Sequence, residues 1–280
     1  TSTLETYAFP NLGQMQVAKV ETADVIAALK PIWGKKPETA NRVRQRIEAV
    51  IDYASALGIR EGDNPARWRG HLDHLLPKPT KMRAVRHHPA LPHSENAGFM
   101  AELDQRSGVA VRALAFTILT TARSGETRGM TWAEVDLEAG IWTVPAARMK
   151  AAKQHRVPLT DAAIALLGDQ RNAETLVFES ETKPGRAISD MGMTAVLRRM
   201  KRNDITVHGF RSTFRDWAGE TTGFPREVIE AALAHGIKDK SEAAYARSDL
   251  FDKRRNLMEA WATVAKQSQG RRNVLYLSKS

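Results

Sequence analysis

Residues 77–94, PKPTKMRAVRHHPALPHS, divide this chain: they hold four prolines and the cations Lys78, Lys81, Arg83 and Arg86, and no acid occurs before Glu95. Proline fixes φ and lacks a donor, so this density opposes helix and sheet interior alike and predicts an extended connector. Its uncompensated charge suits a strap along a phosphate backbone, with an ordinary solvated linker as the alternative. The chain therefore reads as a first domain at 1–76, a basic linker at 77–94 and a second domain at 95–280.

The first part carries helical periodicity. Pro37 suits a first helical turn, where its missing N–H costs nothing. Ala40, Val43, Ile47, Val50, Ile51, Ala54 and Leu57 then recur at three- and four-residue steps and stop before Gly58. Arg42, Arg44 and Arg46 lie off that stripe and predict a basic outer surface able to contact DNA. Shorter helices are expected at 22–29 and 66–76, giving a small all-helical domain.

After the connector the pattern becomes mixed. Helical spacing covers about 95–106, 108–122, 161–168, 189–202, 208–219, 225–234, 241–247 and 251–267. GIWTV (140–144) and HRVPL (155–159), joined across RMKAAKQ, read as a β-hairpin, and a short LVF run as a further strand-like segment. The expected fold class is mainly α with a small antiparallel β-sheet, an α+β arrangement.

Composition narrows the partners. Lys and Arg number 42 against 32 Asp and Glu, a net charge of +10, which favours a polyanion such as nucleic acid. The absence of cysteine excludes disulfides, thiolate zinc sites, iron–sulfur clusters and Cys nucleophiles, and fits a reducing cytoplasm. The longest apolar run, around 108–122, is interrupted by Arg112, so no membrane span is expected. TSTLETYAF lacks the basic-then-apolar layout of a signal peptide, and the initial Thr is what a processed or truncated piece of a longer protein would show.

Several fragments could carry chemistry. In TTARSGETRGMTW an apolar helix ends and Arg123 emerges with Glu126 close enough to orient it; a guanidinium offers a planar fork to two phosphate oxygens. In VHGFRSTFRDW, His208 and Arg211 are one helical turn apart near a helix start, a good anion site, held by Phe210, Phe214 and Trp217. His235 follows an apolar helix and precedes Gly236, and Tyr245 lies ten residues later among small neighbours. Lys150 occupies the expected hairpin tip. Taken singly, each has an ordinary reading: a solvated cap, a surface helix, a core tyrosine, a turn lysine.

Together, Arg123, Lys150, His208-x-x-Arg211, His235 and Tyr245 stand in an order that resembles the tyrosine recombinase (phage integrase) family, in particular integrases of prophages and genomic islands. The likeness extends through the ARSGE box, HRVPL, HGFRSTFR, LAH and RRNLMEAW, and LKPIW…KPETANRVRQRIEAV…GDNPARW is similar to that subgroup's core-type DNA-binding domain. It covers nearly the whole chain. Larger members carry an additional N-terminal arm-binding domain to which nothing here corresponds, and Ser124 stands where proline is common.

The resemblance implies a site-specific recombinase that cleaves and rejoins duplex DNA through a 3′-phosphotyrosyl intermediate, integrating or excising a mobile element. Tyr245 is then the nucleophile, Arg123 and Arg211 grip the scissile phosphate, and His208 assists proton removal or holds the phosphate. Lys150 protonates the leaving 5′ oxygen, His235 donates to the phosphate, and Glu126 supports Arg123 from behind. It further implies attachment-site DNA as substrate, a homotetramer on two duplexes, DNA-bending accessory proteins, and a cytoplasmic, nucleoid-associated protein of bacterial or phage origin. No cofactor or metal is expected: the chain has no GxxxxGK[ST] loop and no acidic cluster spaced for catalytic magnesium. Two other readings remain, a type IB topoisomerase using nearly the same groups and a non-enzymatic DNA-binding regulator. The terminal VLYL is expected to dock on a catalytic domain, with a free tail as the alternative.

Overall fold

A computed structural model of the chain describes residues 3–78, 89–235 and 248–266. The chain forms two compact units, residues 1–87 and 88–280. Tyr245, Lys81, Arg83 and Arg86, the helix expected at 241–247 and the terminal VLYL all lie outside the described residues.

The first unit is helical among its described residues. It contains α1 (Thr3–Tyr7), α2 (Phe9–Leu12), α3 (Thr22–Trp33), α4 (Pro37–Ala56) and the single turn α5 (Asp73–Leu75). Helix α3 runs past the expected end at Leu29 and through Pro31, because Ile32 and Trp33 are buried. Helix α4 starts at Pro37 as its spacing predicts and buries Ala40, Val43, Ile47, Ile51 and Ala54. Of these, Ala40, Val43, Ile47 and Ile51 pack with Val25 and Leu29 into one core, capped by stacking of Trp33 on Trp68 at 5.7 Å.

Three expectations for this unit fail. Val50 and Leu57 are 53% and 56% exposed, so the buried stripe is narrower than the apolar spacing suggested. The helix expected at 66–76 is broken, since Arg69 (ψ 129°) and Gly70 (φ 70°) leave helical geometry and only α5 follows. Arg44 is not on the outer surface but only 5% exposed. Its Nη1 donates to Glu48 Oε2 at 2.6 Å and to the Ala66 carbonyl at 2.8 Å, which makes it a structural cation.

The second unit contains α6 (Asn96–Asp104), α7 (Val109–Thr120), α8 (Ser124–Arg128), β1 (Val135–Asp136), β2 (Ile141–Val144), β3 (His155–Pro158), α9 (Asp161–Ile164), α10 (Gly192–Arg199), α11 (Gly209–Thr221), α12 (Arg226–Ala232) and α13 (Phe251–Lys266). This is the mainly α fold with a small antiparallel sheet that the sequence predicts. Helix α7 is apolar on nearly every face and forms the centre of the core, as an all-round hydrophobic helix must. Trp261 of α13 donates from Nε1 to the Ile118 carbonyl at 2.9 Å and packs edge-on against Phe214 of α11.

The sheet has the order β1-β2-β3, all antiparallel, and the expected hairpin pairs Trp142 with Val157 and Val144 with His155. Trp142 and Val144 are fully buried, so the alternation in β2 sets which face meets the core. LVF is not a strand; it contributes a bridge between Leu176 and Thr131, the bond from Val177 N to the Met130 carbonyl and one from Ile188 N to the Phe178 carbonyl. Helices α9 and α10 are shorter than their expected ranges.

Both flanks of the expected connector make contacts within their own units. At one end Trp33 Nε1 donates to the Pro77 carbonyl at 2.9 Å. At the other, Leu91 is 1% exposed in the second core, and Thr213 Oγ1 donates to its carbonyl at 2.6 Å. A β-carbon on Gly209 would stand 2.2 Å from the Pro89 carbonyl oxygen, so only glycine lets this segment close over the start of α11.

Candidate active site

The site is assembled from three helix ends in the second unit. Helix α7 stops at Thr120, and Thr121 turns left-handed at φ 54° while 2% exposed. A β-branched residue is costly there, and the turn reverses the chain so that Arg123 is extended and α8 begins directly after it. The Thr121 carbonyl, swung out by that turn, accepts a hydrogen bond from Arg211 Nη1.

Arg123 is held by the buried Glu126. Its backbone N–H donates to Glu126 Oε2 at 2.9 Å and its Nη1 to Oε1 at 2.7 Å, while Nη2 donates to the Ala234 carbonyl at 3.3 Å. Ala234 is a second left-handed residue, at φ 48°, just past the end of α12. Arg211 lies in the first turn of α11, 7% exposed, with Nη2 donating to the Leu233 carbonyl at 2.5 Å and standing 3.2 Å from His235 Nε2. The C-terminal ends of α7 and α12 therefore present carbonyl oxygens to both guanidiniums. Carbonyls at a helix C-terminus carry partial negative charge, which suits cations.

The buried guanidinium of Arg211 stands beside the half-buried one of Arg123, and Glu126 neutralises only one of these two charges. Burial, with the neighbouring Arg123, lowers Arg211 to about 10, so it remains cationic at neutral pH in a place that favours a bound negative group.

The structure thus gathers four of the expected residues, Arg123, Glu126, Arg211 and His235. His208 is exposed at the N-cap of α11, one turn from Arg211. Lys150 is exposed in the connection between β2 and β3, where the sequence places it. In the first unit Arg42 is exposed and pairs loosely with Glu38 at 3.9 Å, Arg46 is exposed and donates to Thr3 Oγ1, and Lys78 is exposed.

Four supporting residues were not anticipated. Arg148, two positions before Lys150, donates from Nη1 to the Glu126 carbonyl at 2.9 Å and pairs with Glu134, tying the hairpin connection to the Arg123 turn. Glu230 accepts from His235 Nδ1 at 2.6 Å and from Arg215 Nε at 2.9 Å. Arg254 is 1% exposed; its Nη1 donates to the Arg156 carbonyl at 2.6 Å and its Nε to that of Asp249 at 2.7 Å. His155 is lowered to about 4, first by burial and then by the charges of Arg254, Arg123 and Arg211, with Asp249 opposing, so it is neutral at physiological pH.

Comparison with known proteins gives the family of both units. Residues 1–71 match the phage integrase central domain and residues 90–250 the phage integrase family. Prophage integrase IntA of Escherichia coli (strain K12) is 32% identical, over 99% of this chain and 67% of its own length. The integrase of Enterobacteria phage P4 is 29% identical, over 92% of this chain and 62% of its own. The chain thus spans about two thirds of the length of these relatives.

Among solved structures, the Tn1549 transposon integrase in complex with circular intermediate DNA aligns with a TM-score of 0.59 at 13% identity, covering 91% of this chain and 90% of that one. A lambda integrase dimer bound to a COC′ core site aligns with a TM-score of 0.60 at 16% identity, covering 88% and 86%. At such identities the likeness establishes the shared fold. The chain belongs to the phage integrase family of tyrosine-type site-specific DNA recombinases.

Proposed function

We propose that this chain cleaves and rejoins duplex DNA at specific attachment sites through a 3′-phosphotyrosyl bond to Tyr245, integrating or excising a mobile element. The observation that carries the reading is the pair Arg123 and Arg211, fixed by carbonyl oxygens from two helix ends beside His235. Tyr245 enters on its sequence position, ten residues after His235.

A phenol with an ordinary pKa near 10 is mostly protonated at neutral pH and needs help to attack phosphorus. His208 takes the phenolic proton, the oxygen attacks, and the 3′ phosphate becomes joined to Tyr245 while the 5′ oxygen leaves. Lys150 gives that oxygen its proton, because an alkoxide leaves poorly. Arg123 and Arg211 stabilise the charge that develops on the non-bridging oxygens, each worth on the order of 3 kcal/mol in the transition state. After strand exchange the partner's 5′ hydroxyl reverses these steps, and the energy of the broken bond is kept in the intermediate.

Arg42, Arg46, Lys78, Lys81, Arg83 and Arg86 contact phosphates and position the DNA without reading its sequence. Arg44, buried against Glu48 and Ala66, has no part in this. The working assembly is a homotetramer on two duplexes, aided by DNA-bending proteins and acting on the nucleoid in the cytoplasm; a lambda integrase tetramer bound to a Holliday junction is the solved precedent.

The test is incubation with a nicked candidate core duplex and a second attachment duplex, and in parallel with a supercoiled plasmid. Covalent adduct together with DNA joined between the two molecules supports a recombinase. Relaxation of supercoils without joining identifies a type IB topoisomerase, and absence of any adduct leaves only a DNA-binding regulator.

A further inference from the structure

His235 is held from both sides. On one side Nδ1 is 2.6 Å from Glu230 Oε2; on the other Nε2 is 3.2 Å from Arg211 Nη2. A guanidinium can only donate, so the Nε2 it faces must accept. Glu230 accepts at both carboxyl oxygens, Oε2 from His235 and Oε1 from Arg215, as an ionised carboxylate does. Burial pushes its carboxyl up, but the hydrogen bonds from His235 and Arg215 outweigh burial and hold it below the ordinary carboxylate range. The neutral ring is thereby restricted to one tautomer, with its hydrogen on Nδ1. Arg215 fixes Glu230 in turn, donating from Nε to Oε1 at 2.9 Å. Glu230 and His235 belong to one helix end: Glu230 lies in α12, and His235 N–H donates to the Glu230 carbonyl at 3.0 Å.

We infer that Glu230, tethered by Arg215, is a positioning residue that fixes the plane and tautomer of His235 and so directs Nε2 at the Arg123–Arg211 anion site. This deepens the recombinase reading and rests on it. In the DNA-free protein Nε2 accepts from Arg211. For His235 to donate to a phosphate, a second proton must enter at Nε2, and a carboxylate on Nδ1 stabilises the imidazolium so formed. The same carboxylate thus serves both states of the ring. Partners that orient metal-bound imidazoles in this way typically change activity 10- to 100-fold when removed, and a loss of the same order is expected here.

The full chain carrying Glu230→Ala, Glu230→Gln, His235→Ala or both alanine changes provides the test. Nitrogen-15 spectra of the DNA-free protein, with the His235→Ala spectrum assigning the signal, should show His235 held as the Nδ1-protonated tautomer in the wild type and as a mixture of tautomers in Glu230→Ala, where the ring has lost its anchor and can turn away from Arg211. Glu230→Gln, which keeps an accepting oxygen, should retain the wild-type tautomer. On a nicked duplex, Glu230→Ala should slow adduct formation roughly 30-fold with DNA affinity within about twofold. In the His235→Ala background the same change should add almost nothing, because a group acting through another cannot be lost twice. An unchanged tautomer in Glu230→Ala, or an equal loss of rate with and without His235, would overturn the inference. Failure of the wild type to form adduct would defeat the recombinase reading instead, and the tautomer measurement would still decide the role of Glu230.

Discussion

At His155 the fold places an imidazole where burial and the guanidiniums of Arg254, Arg123 and Arg211 all oppose protonation, while Asp249 alone favours it. In the unfolded chain the ring titrates near its ordinary 6.5, and in the folded chain near 4. Between these values the unfolded state binds more protons, so this residue's contribution is complete above pH 6.5 and disappears as pH falls through 4. The difference corresponds to roughly 3 kcal/mol. Urea unfolding of wild type and His155→Gln at pH 7.5 and pH 4.5 should show the wild type losing up to that much more on acidification; parallel losses would contradict the account. His155 could not be found from sequence, since nothing near HRVPL announces charges brought in by α8, α11 and α13. Arg123, Glu126, Arg211 and His235 were legible because each sits in a short motif at a helix end. Arg254 was not, because its partner Arg156 is 98 positions away and a buried arginine reads like any other cation in RRNLMEAW.

At the scale of elements, spacing identified α4, α7, α11, α13 and the β2–β3 hairpin because each has a strong apolar period. It misjudged places where a single backbone angle decides, as at Arg69 and Gly70, and where a long polar side chain turns inward, as at Arg44. Arg44→Ala strands Glu48 and the Ala66 carbonyl and should cost about 2 kcal/mol in urea unfolding, whereas exposed Arg42→Ala should stay within about 0.5 kcal/mol. Equal effects would return Arg44 to the surface. The β2–β3 connection offers a second test. Arg148 bonds it to α8, and a small misplacement of a catalytic group is costly, so Arg148→Ala should slow adduct formation about 10-fold with Lys150 intact and DNA affinity unchanged. A wild-type rate in single-turnover assays would leave the tie without a functional role.

For the whole molecule, two compact units joined by a basic stretch define how affinity and chemistry separate. Each phosphate neutralised by a cation adds about 0.9 to the magnitude of the slope of log affinity against log salt. Replacing Lys78, Lys81, Arg83 and Arg86 by Ala should therefore flatten the slope by up to about 3.6 and weaken all duplexes alike. An unchanged slope would make the stretch an ordinary linker. The proposed chemistry lies in the second unit, and the central claim is that it proceeds through Tyr245. Among the other tyrosines, Tyr53 is 67% exposed on α4 of the first unit, and Tyr7 lies in α1. The decisive measurement is peptide mapping of the adduct trapped on a nicked core duplex, alongside Tyr245→Phe, which removes one oxygen and little volume. The account predicts DNA on the peptide containing Tyr245, and none trapped by the Phe variant despite normal DNA binding. Adduct formation by Tyr245→Phe at a comparable rate, or DNA mapped to another residue, would contradict it.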